Sequence, residues 1–267
     1  MMGLAVHRCG IGPAAAAGGL PLDDYTTSMW SVVGARPLLQ SYTGNILRVQ
    51  RSSDSTELDI GQVNAGTASA ALDESALTTF VGASNGSVVT LYDQSGNGRD
   101  ATGPVGNYIV VSGTVQRMSG IACVYSSSSV VFTIASKPAA LTSFTSLETT
   151  KHLCVLLKSS NQGDRYVGVW QNGNGASITS NSGTAAAYIA GSSVGASRDT
   201  LQDAVSVGSP VVLAVTATSL ATWGGNFRLG GYGSGFDYAG KLLDFAVYSD
   251  SALTDRADIE TALGAAL

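Results

Sequence analysis

The chain has 267 residues, of which 33 are glycines and only 12% are charged, and its net charge is −5. Globular domains usually carry about a quarter of charged residues, and this composition favours one large all-β domain, since a single sandwich can reach this length. The 14 Lys and Arg residues are dispersed, which argues against a nucleic-acid groove. No stretch reaches the roughly eighteen apolar residues of a membrane helix, so no membrane insertion is predicted.

The three cysteines, Cys9, Cys123 and Cys154, are an odd and scattered set. Their spacing matches neither a disulfide framework nor a metal site. We interpret them as buried or incidental thiols, and the pattern leaves their redox state open. No cofactor and no metal are predicted.

Residues 1–24 are rich in Ala and Gly and show no periodic apolar face, which predicts an extended N-terminal arm. The folded domain is predicted over 25–267. Because Gly and Ala side chains bury little surface, the arm is expected to dock against another surface and to anchor the domain in an oligomeric assembly.

Ile46, Val49 and their polar neighbours predict a strand. Arg48 and Arg51 lie three residues apart and therefore face opposite sides of it. Each is expected to pair with a different carboxylate among those that follow, which are Asp54, Glu57 and Asp59.

Residues 72–81 carry apolar side chains at helical offsets, and Gly82 is placed as a C-terminal cap. A series of short strands separated by turn signals follows, which indicates a sandwich. These strands are predicted at 108–111, 121–125, 130–134, 152–157, 165–170, 185–189, 210–218, 227–229 and 241–248.

The strand at 211–215 is apolar on both faces and is predicted to be central. In the strand at 241–248, Asp244 and Ala246 alternate with apolar residues, which predicts a half-exposed strand. The chain ends in a predicted helix with Thr254 as its N-cap and Gly264 beyond its last residue.

The most specific stretch is 88–101, where a strand pattern runs into a polar turn. Asp93 and Ser95 can bond neighbouring amides, and Gly96 and Gly98 permit positive φ angles. We interpret this stretch as a structural turn, because the glycine spacing alone is weak support for a phosphate cradle.

The motif Tyr92-Asp93-Gln94-Ser95-Gly96-x-Gly98 resembles the YDQSGxG signature of the catalytic domain of α-L-arabinofuranosidase B, glycoside hydrolase family 54. Segments 35–44 and 47–54 are similar to the opening strands of that domain, so the resemblance covers roughly residues 30–105. It implies a concanavalin-like jelly-roll β-sandwich with one short internal helix and a short C-terminal helix. Domains with these signatures also occur in structural proteins of tailed phages and phage-like particles, and the Ala/Gly-rich leader resembles those.

The resemblance also bears on catalysis, because glycoside hydrolysis needs two carboxylates that face each other across the sugar. Matching the family's nucleophile strand to 165–172 puts Val167 at the glutamate position. Matching its acid/base strand to 229–233 puts Tyr232 at the aspartate position. Asp164 and Asp237 lie within a few residues of these positions and could compensate.

Aromatic and amide side chains in the second half of the chain suit sugars, which bind through stacked rings and planar hydrogen bonds. The alternative is that most of these rings, including Tyr238, pack inside the sandwich. The glycan-binding candidates are Trp170, Asn172, Tyr188, Trp223, Tyr232 and Asp237.

Our interpretation from the sequence is therefore a non-catalytic, lectin-like virion surface protein of a phage or phage-like particle, in a tail, a fibre or a head decoration. It is expected to bind other virion proteins through residues 1–24, to contact host glycans or mediate assembly, and to be extracellular once released. One alternative is an arabinofuranosidase-type glycoside hydrolase acting on surface polysaccharide. The other is a purely structural decoration protein.

Overall fold

The computed structural model describes residues 19–128, 130–136, 138–149, 170–172, 185–194, 208–217, 227–229 and 238–267. These parts form a mostly antiparallel β-structure with two short helices, as the sequence predicts. The strand predicted at 152–157 and most of the one at 165–170 lie outside the described residues.

The first ten strands lie before residue 120. They are β1 Met29–Gly34, β2 Leu47–Arg51, β3 Glu57–Ile60, β4 Gln62–Val63, β5 Ala71–Leu72, β6 Gly86–Leu91, β7 Ala101–Thr102, β8 Tyr108–Val111, β9 Thr114–Val115 and β10 Arg117–Met118.

The remaining described strands and the two helices overlap the predicted positions, except that β14 and β17 were not predicted and that β15 shares only Trp170 with the predicted strand at 165–170. The strands are β11 Ile121–Ala122, β12 Val124–Ser126, β13 Phe132–Ile134, β14 Leu141–Thr149, β15 Trp170–Asn172, β16 Ala185–Ile189, β17 Ser192–Ser193, β18 Val211–Ala217, β19 Phe227–Leu229 and β20 Gly240–Tyr248. The helices are α1 Glu74–Val81 and α2 Arg256–Gly264.

One sheet contains sixteen of these strands, and its hydrogen-bonded order is β15-β19-β13-β7-β6-β8-β12-β20-β14-β18-β16-β17. On the other side of β6 lies β2, which carries β3, while β1 pairs with β20. We call β3-β2-β6-β7-β13-β19-β15 the first layer and β12-β20-β14-β18-β16-β17 the second layer.

The main core lies between the two layers, because buried residues of both contribute to one apolar cluster. Leu47, Leu91 and Phe132 of the first layer share this cluster with Leu213 and Phe245 of the second. This arrangement makes the sheet a sandwich, with one core enclosed by two packed layers.

A second core covers the opposite face of the second layer. It joins α2 and residues 22–39 to the sheet through Leu22, Leu38, Phe144, Tyr248, Ile259 and Leu263. The rings of Phe144 and Tyr248 meet edge to face at 5.7 Å. The strands β14, β18 and β20 of the second layer are therefore covered on both faces.

The prediction that β20 is half-exposed is wrong for this reason. Asp244 and Ala246, expected to face solvent, are both fully buried. Asp244 is accommodated by the guanidinium of Arg36, which donates from Nε at 3.0 and 3.1 Å and from Nη2 at 2.5 Å. The prediction that 211–215 is a central strand is confirmed, since β18 lies between β14 and β16.

The helix α1 begins after Asp73, whose carboxylate accepts a hydrogen bond from the Ala76 amide, and ends at Gly82 with a φ of +59°. The limits predicted for α2 are shifted by one residue at each end. Its N-cap is Asp255, and Gly264 is its last helical residue. Among the described residues, neither helix is long and apolar enough to cross a membrane.

The last six residues of the predicted arm, 19–24, are described and pack on the domain. Leu22 is fully buried, and its amide donates to the carbonyl of Leu38 at 3.0 Å. The carboxylate of Asp23 accepts from the amides of Leu20 and Gln40 at 2.6 and 2.7 Å. Residues 1–18 lie outside the described part, so docking of the arm to a partner stays a prediction.

Candidate functional site

The turn that follows β6 holds the first strand in place through one carboxylate. Oδ1 of Asp93 accepts from the amide of Val32 at 2.9 Å, from the amide of Ser95 at 3.0 Å and from the Ser95 hydroxyl at 2.7 Å. Oδ2 accepts from the amide of Arg99 at 2.9 Å. Asp93 is only 5% exposed, so all these bonds are made in a dry environment and the carboxylate is structural.

Gln94 extends the same contact to the loop after β1. Its Oε1 accepts from the amide of Leu38 at 2.8 Å, and its Nε2 donates to the carbonyl of Arg36 at 2.9 Å. Its own amide donates to the carbonyl of Val32 at 2.7 Å. A buried amide side chain with its groups bonded in this way fixes the path of the backbone.

The two glycines of the turn adopt the conformation expected from the sequence. Gly96 has a φ of +80° and Gly98 a φ of +66°, a region that L-residues with a side chain rarely adopt. Between them, Asn97 donates from Nδ2 to the carbonyl of Met29 at 3.0 Å. The turn thus joins the first layer to β1.

The strand pair β15–β19 carries two of the glycan-binding candidates, Trp170 and Asn172. Trp170 lies opposite Leu229 and Asn172 opposite Phe227, in antiparallel register. The beginning of β15 and the end of β19 therefore lie at the same end of this pair. The other candidates of this region, Trp223, Tyr232 and Asp237, lie outside the described residues, as do Asp164 and Val167.

Tyr188 and Tyr238 show two different environments for the predicted sugar-binding rings. One ring face of Tyr188 is covered by the guanidinium of Arg256, 3.6 Å from the ring centroid. Tyr238 is buried, with its hydroxyl 2.9 Å from the carbonyl oxygen of Glu148 and 2.8 Å from that of Lys241. Packing inside the sandwich is thus the correct interpretation for Tyr238, and glycan contact at the other face of Tyr188 stays a prediction.

An ion pair that the sequence did not reveal lies at the end of β14 and the start of β20. Nζ of Lys241 is 2.7 Å from Oε1 of Glu148, and the two side chains are 24% and 14% exposed. Neither residue was singled out, because β14 was not predicted and so its pairing with β20 could not be inferred.

A second charged group lies on the first layer, between β2, β3 and the start of the turn. Arg48 donates to both carboxylate oxygens of Asp59, at 2.7 and 3.0 Å, and the hydroxyl of Tyr92 donates to Asp59 at 2.6 Å. The hydrogen bond from Arg48 lowers the pKa of Asp59. Burial, together with the hydrogen bond to Asp59, raises the pKa of Tyr92 to about 12, so the pair is ionised and the phenol is neutral at pH 7.

The described cysteine and the described acidic groups offer neither a nucleophilic thiol nor a metal site. Cys123 is free and buried, and burial raises the pKa of its thiol to about 12, which keeps it protonated. Within the described ranges, no group of three or more His, Cys, Asp or Glu residues could hold a metal ion.

A groove of about 600 Å³ lies between α2 and the strands β16 and β18, and it is lined mainly by apolar side chains such as Val211 and Leu267. Its charged lining residue, Glu260, is 3% exposed and is held by Arg256 and by the amide of Gly191 at 2.7 Å. That carboxylate is therefore not available to a sugar hydroxyl.

The sequence is similar to a known protein family over part of its length. The family model described as "Alpha-L-arabinofuranosidase B, catalytic" matches residues 22–137. Alpha-L-arabinofuranosidase B of Emericella nidulans is 35% identical over 117 residues, which are 39% of this chain and 22% of that protein. The chain therefore matches about a fifth of the length of this relative and resembles its catalytic domain.

The fold comparison extends the likeness beyond residue 137. An arabinofuranosidase in complex with arabinofuranosyl-α-1,2-xylobiose matches 93% of this chain and 65% of its own, with a TM-score of 0.57 and 17% identity. A family 54 α-L-arabinofuranosidase soaked with 4-nitrophenyl α-L-arabinofuranoside matches 91% of this chain and 65% of its own, with a TM-score of 0.55 and 18% identity. At these identities the likeness establishes the β-sandwich fold.

The interpretation as a non-catalytic, lectin-like virion surface protein is wrong in the light of these comparisons, which give glycoside hydrolases and no phage protein. The expectation that the chain is not an enzyme is contradicted by the same comparisons. That prediction depended on Val167 and Tyr232 at the matched positions, and both residues lie outside the described part of the structure.

Proposed function

We propose that this chain is an arabinofuranosidase-type glycoside hydrolase, which removes α-L-arabinofuranosyl groups from a polysaccharide. The observation that carries the proposal is the match of residues 22–137 to the catalytic-domain model of that family. The matched segment contains the turn at Asp93 and Gln94, whose buried bonds hold the two halves of the segment together.

Hydrolysis of a glycoside requires an acid and a second carboxylate, about 5–5.5 Å apart for retention and about 6.5–9.5 Å apart for inversion. The buried carboxylates among the described residues are poor candidates. Asp93 and Glu260 are held by amide or guanidinium donors, and Asp244 by the guanidinium of Arg36. The bonds of these three carboxylates stabilise the fold.

We therefore assign the two catalytic roles to Asp164 and Asp237. Asp164 precedes Trp170 by six residues, and Asp237 follows Leu229 by eight. Trp170 lies opposite Leu229 in an antiparallel pair, so the chain enters β15 after Asp164 and leaves β19 before Asp237 at the same end of that pair.

Glu148 is a third carboxylate to test in the same region. Asp237 is followed directly by Tyr238, whose hydroxyl lies 2.9 Å from the Glu148 carbonyl oxygen. The side chain of Glu148 is partly exposed and paired with Lys241, a cation that would stabilise negative charge beside a catalytic acid.

The test is hydrolysis of 4-nitrophenyl α-L-arabinofuranoside by the full chain and by Asp164→Asn, Asp237→Asn and Glu148→Gln. Each of the first two substitutions is expected to lower kcat by roughly 100-fold or more, the usual contribution of a general acid or base. Glu148→Gln is expected to shift the pH dependence of kcat, because it removes the charge paired with Lys241.

Asp24→Asn is the matched control, since Asp24 is exposed, and it should leave kcat unchanged. The proposal is overturned if the full chain, purified and folded by thermal melt, hydrolyses no α-L-arabinofuranoside. Unchanged rates in both Asp164→Asn and Asp237→Asn would instead refute the assignment of these residues.

A further inference from the structure

The outer face of the first layer carries a straight line of polar residues across five strands. Asp59 of β3 lies opposite Arg48 of β2, which lies opposite Thr90 of β6. Thr90 lies opposite Thr102 of β7, which lies opposite Thr133 of β13. We call these five residues the outer row. With a strand spacing of about 4.8 Å, the row is about 19 Å long.

The three threonines face away from the core. Their strand neighbours Leu91, Ala101, Phe132 and Ile134 are at most 1% exposed and belong to the main core. Because successive side chains of a strand point to opposite faces, the threonines lie on the solvent side. Thr102 is exposed, and Thr90 and Thr133 are half-buried.

The charged end of the outer row is neutralised within the protein. Arg48 and Asp59 form a bidentate pair at 2.7 and 3.0 Å, and Tyr92 donates to Asp59 from the same face. The row therefore presents threonine hydroxyls and a compensated ion pair, with no net charge, and Tyr92 is bonded to it through Asp59. Hydroxyls both donate and accept hydrogen bonds, and rings stack on the apolar faces of sugars.

The outer row continues in register into the neighbouring strands β19 and β15. Thr133 lies opposite Arg228 of β19, and Arg228 opposite Gln171 of β15. One step further along these strands is the pair of Trp170 and Leu229. The row thus extends in register across the first layer as far as β15.

We propose that the outer row binds the main chain of a neutral polysaccharide that is the substrate of the proposed hydrolase. The length of the row suits an oligomeric ligand rather than a single sugar. The five residues of the row carry no net charge, because Arg48 and Asp59 compensate each other, and this suits an uncharged polyol. This inference rests on the proposed function for its link to catalysis, but the binding itself does not depend on catalysis.

The test compares the full chain with the double variant Thr102→Val/Thr133→Val, which removes two hydroxyls without changing side-chain shape. Binding is measured as retardation in native gels that contain a neutral arabinoxylan. The double variant is expected to bind roughly tenfold more weakly, the loss of two neutral hydrogen bonds. Its KM on arabinoxylan should rise by a similar factor, with kcat/KM on 4-nitrophenyl α-L-arabinofuranoside unchanged.

Thr114→Val is the matched control, because Thr114 is also an exposed threonine on a strand but lies on β9, outside the row. It should be retarded like the unchanged chain. Equal retardation of the double variant and the control would overturn the proposal, as would stronger retardation by a polyuronate than by arabinoxylan. If no substrate is hydrolysed but the double variant is retarded less than the unchanged chain, polysaccharide binding by the outer row is supported and the proposed hydrolase function is refuted.

Discussion

At Gly96 and Gly98 the effect of backbone strain can be distinguished from the effect of steric crowding. A Cβ atom added at either position would meet no other atom within 4 Å, yet both residues have φ angles in the left-handed region. The left-handed backbone conformation, and not a lack of space, therefore determines which residues are tolerated at these two positions.

We expect Gly96→Ala to lower the free energy of unfolding by about 1–2 kcal/mol, the cost of a left-handed conformation for a residue with a Cβ. Gly96→Asn should cost less, because asparagine visits this region more readily. Urea unfolding of both variants measures the difference. If Gly96→Ala and Gly96→Asn both proved as stable as the unchanged chain, the turn would not be strained at this position.

Ion pairs could be predicted from the sequence where the two partners lie close together along the chain. Alternation along one strand separates Arg48 from Arg51, and the structure pairs them with Asp59 and Asp54 respectively, as expected. The same reasoning fails for Asp244, since its partner Arg36 is 208 residues away. A carboxylate that looks exposed by its pattern is buried because a distant guanidinium compensates it.

At the level of elements, β14 shows how a buried strand can lack the usual sequence pattern. Its apolar residues recur every third position, at Leu141, Phe144 and Leu147, rather than every second. Hydroxyl side chains fill the remaining buried positions, which are Thr142, Ser143, Thr145 and Ser146. Because both faces of β14 are covered, its small polar residues were not recognisable as core from the sequence.

Two threonines of β14 provide a matched pair for the effect of a buried hydroxyl. The hydroxyl of Thr142 donates to the carbonyl of Asp250 at 2.7 Å. That of Thr145 is buried with no hydrogen-bond partner among the described atoms. Thr142→Val should therefore lower the free energy of unfolding by about 1 kcal/mol, whereas Thr145→Val should leave it unchanged or raise it.

Chemical denaturation of the two single variants measures this difference, and each serves as the control for the other. A loss of stability in Thr145→Val as large as that in Thr142→Val would contradict the expectation. It would mean that the Thr145 hydroxyl is paired in solution.

For the whole molecule, the fold class could be predicted and the layer arrangement could not. Turn signals between short strands indicate a sandwich, but they do not say that β1 pairs with β20. Likewise the turn at Asp93 was identified from its own residues. The function class could not be predicted correctly, because Val167 and Tyr232 were matched to the family by short local segments alone.

The boundary of the folded domain gives a prediction at this scale. We expect deletion of residues 1–18 to leave the melting temperature nearly unchanged, because Gly19 to Asp24 remain to pack on the sheet. Deletion of 1–22 also removes Leu22, which is fully buried in the second core. It should lower the free energy of unfolding by roughly 2–5 kcal/mol, the range for loss of a buried leucine.

Thermal and urea unfolding of the two truncated chains measures this difference. Leu22→Ala in the full chain is the control and should lose stability in the same direction. Equal stability of the two truncated chains would show that Leu22 is not part of the core.

The central place of β20 also governs how the chain folds during synthesis. β20 pairs with β1, β12 and β14, yet it leaves the ribosome after all of them. Until residue 248 has emerged, these three strands lack a common partner and expose unpaired edges, which favour aggregation. The sandwich therefore cannot be completed before residue 248 has been synthesised.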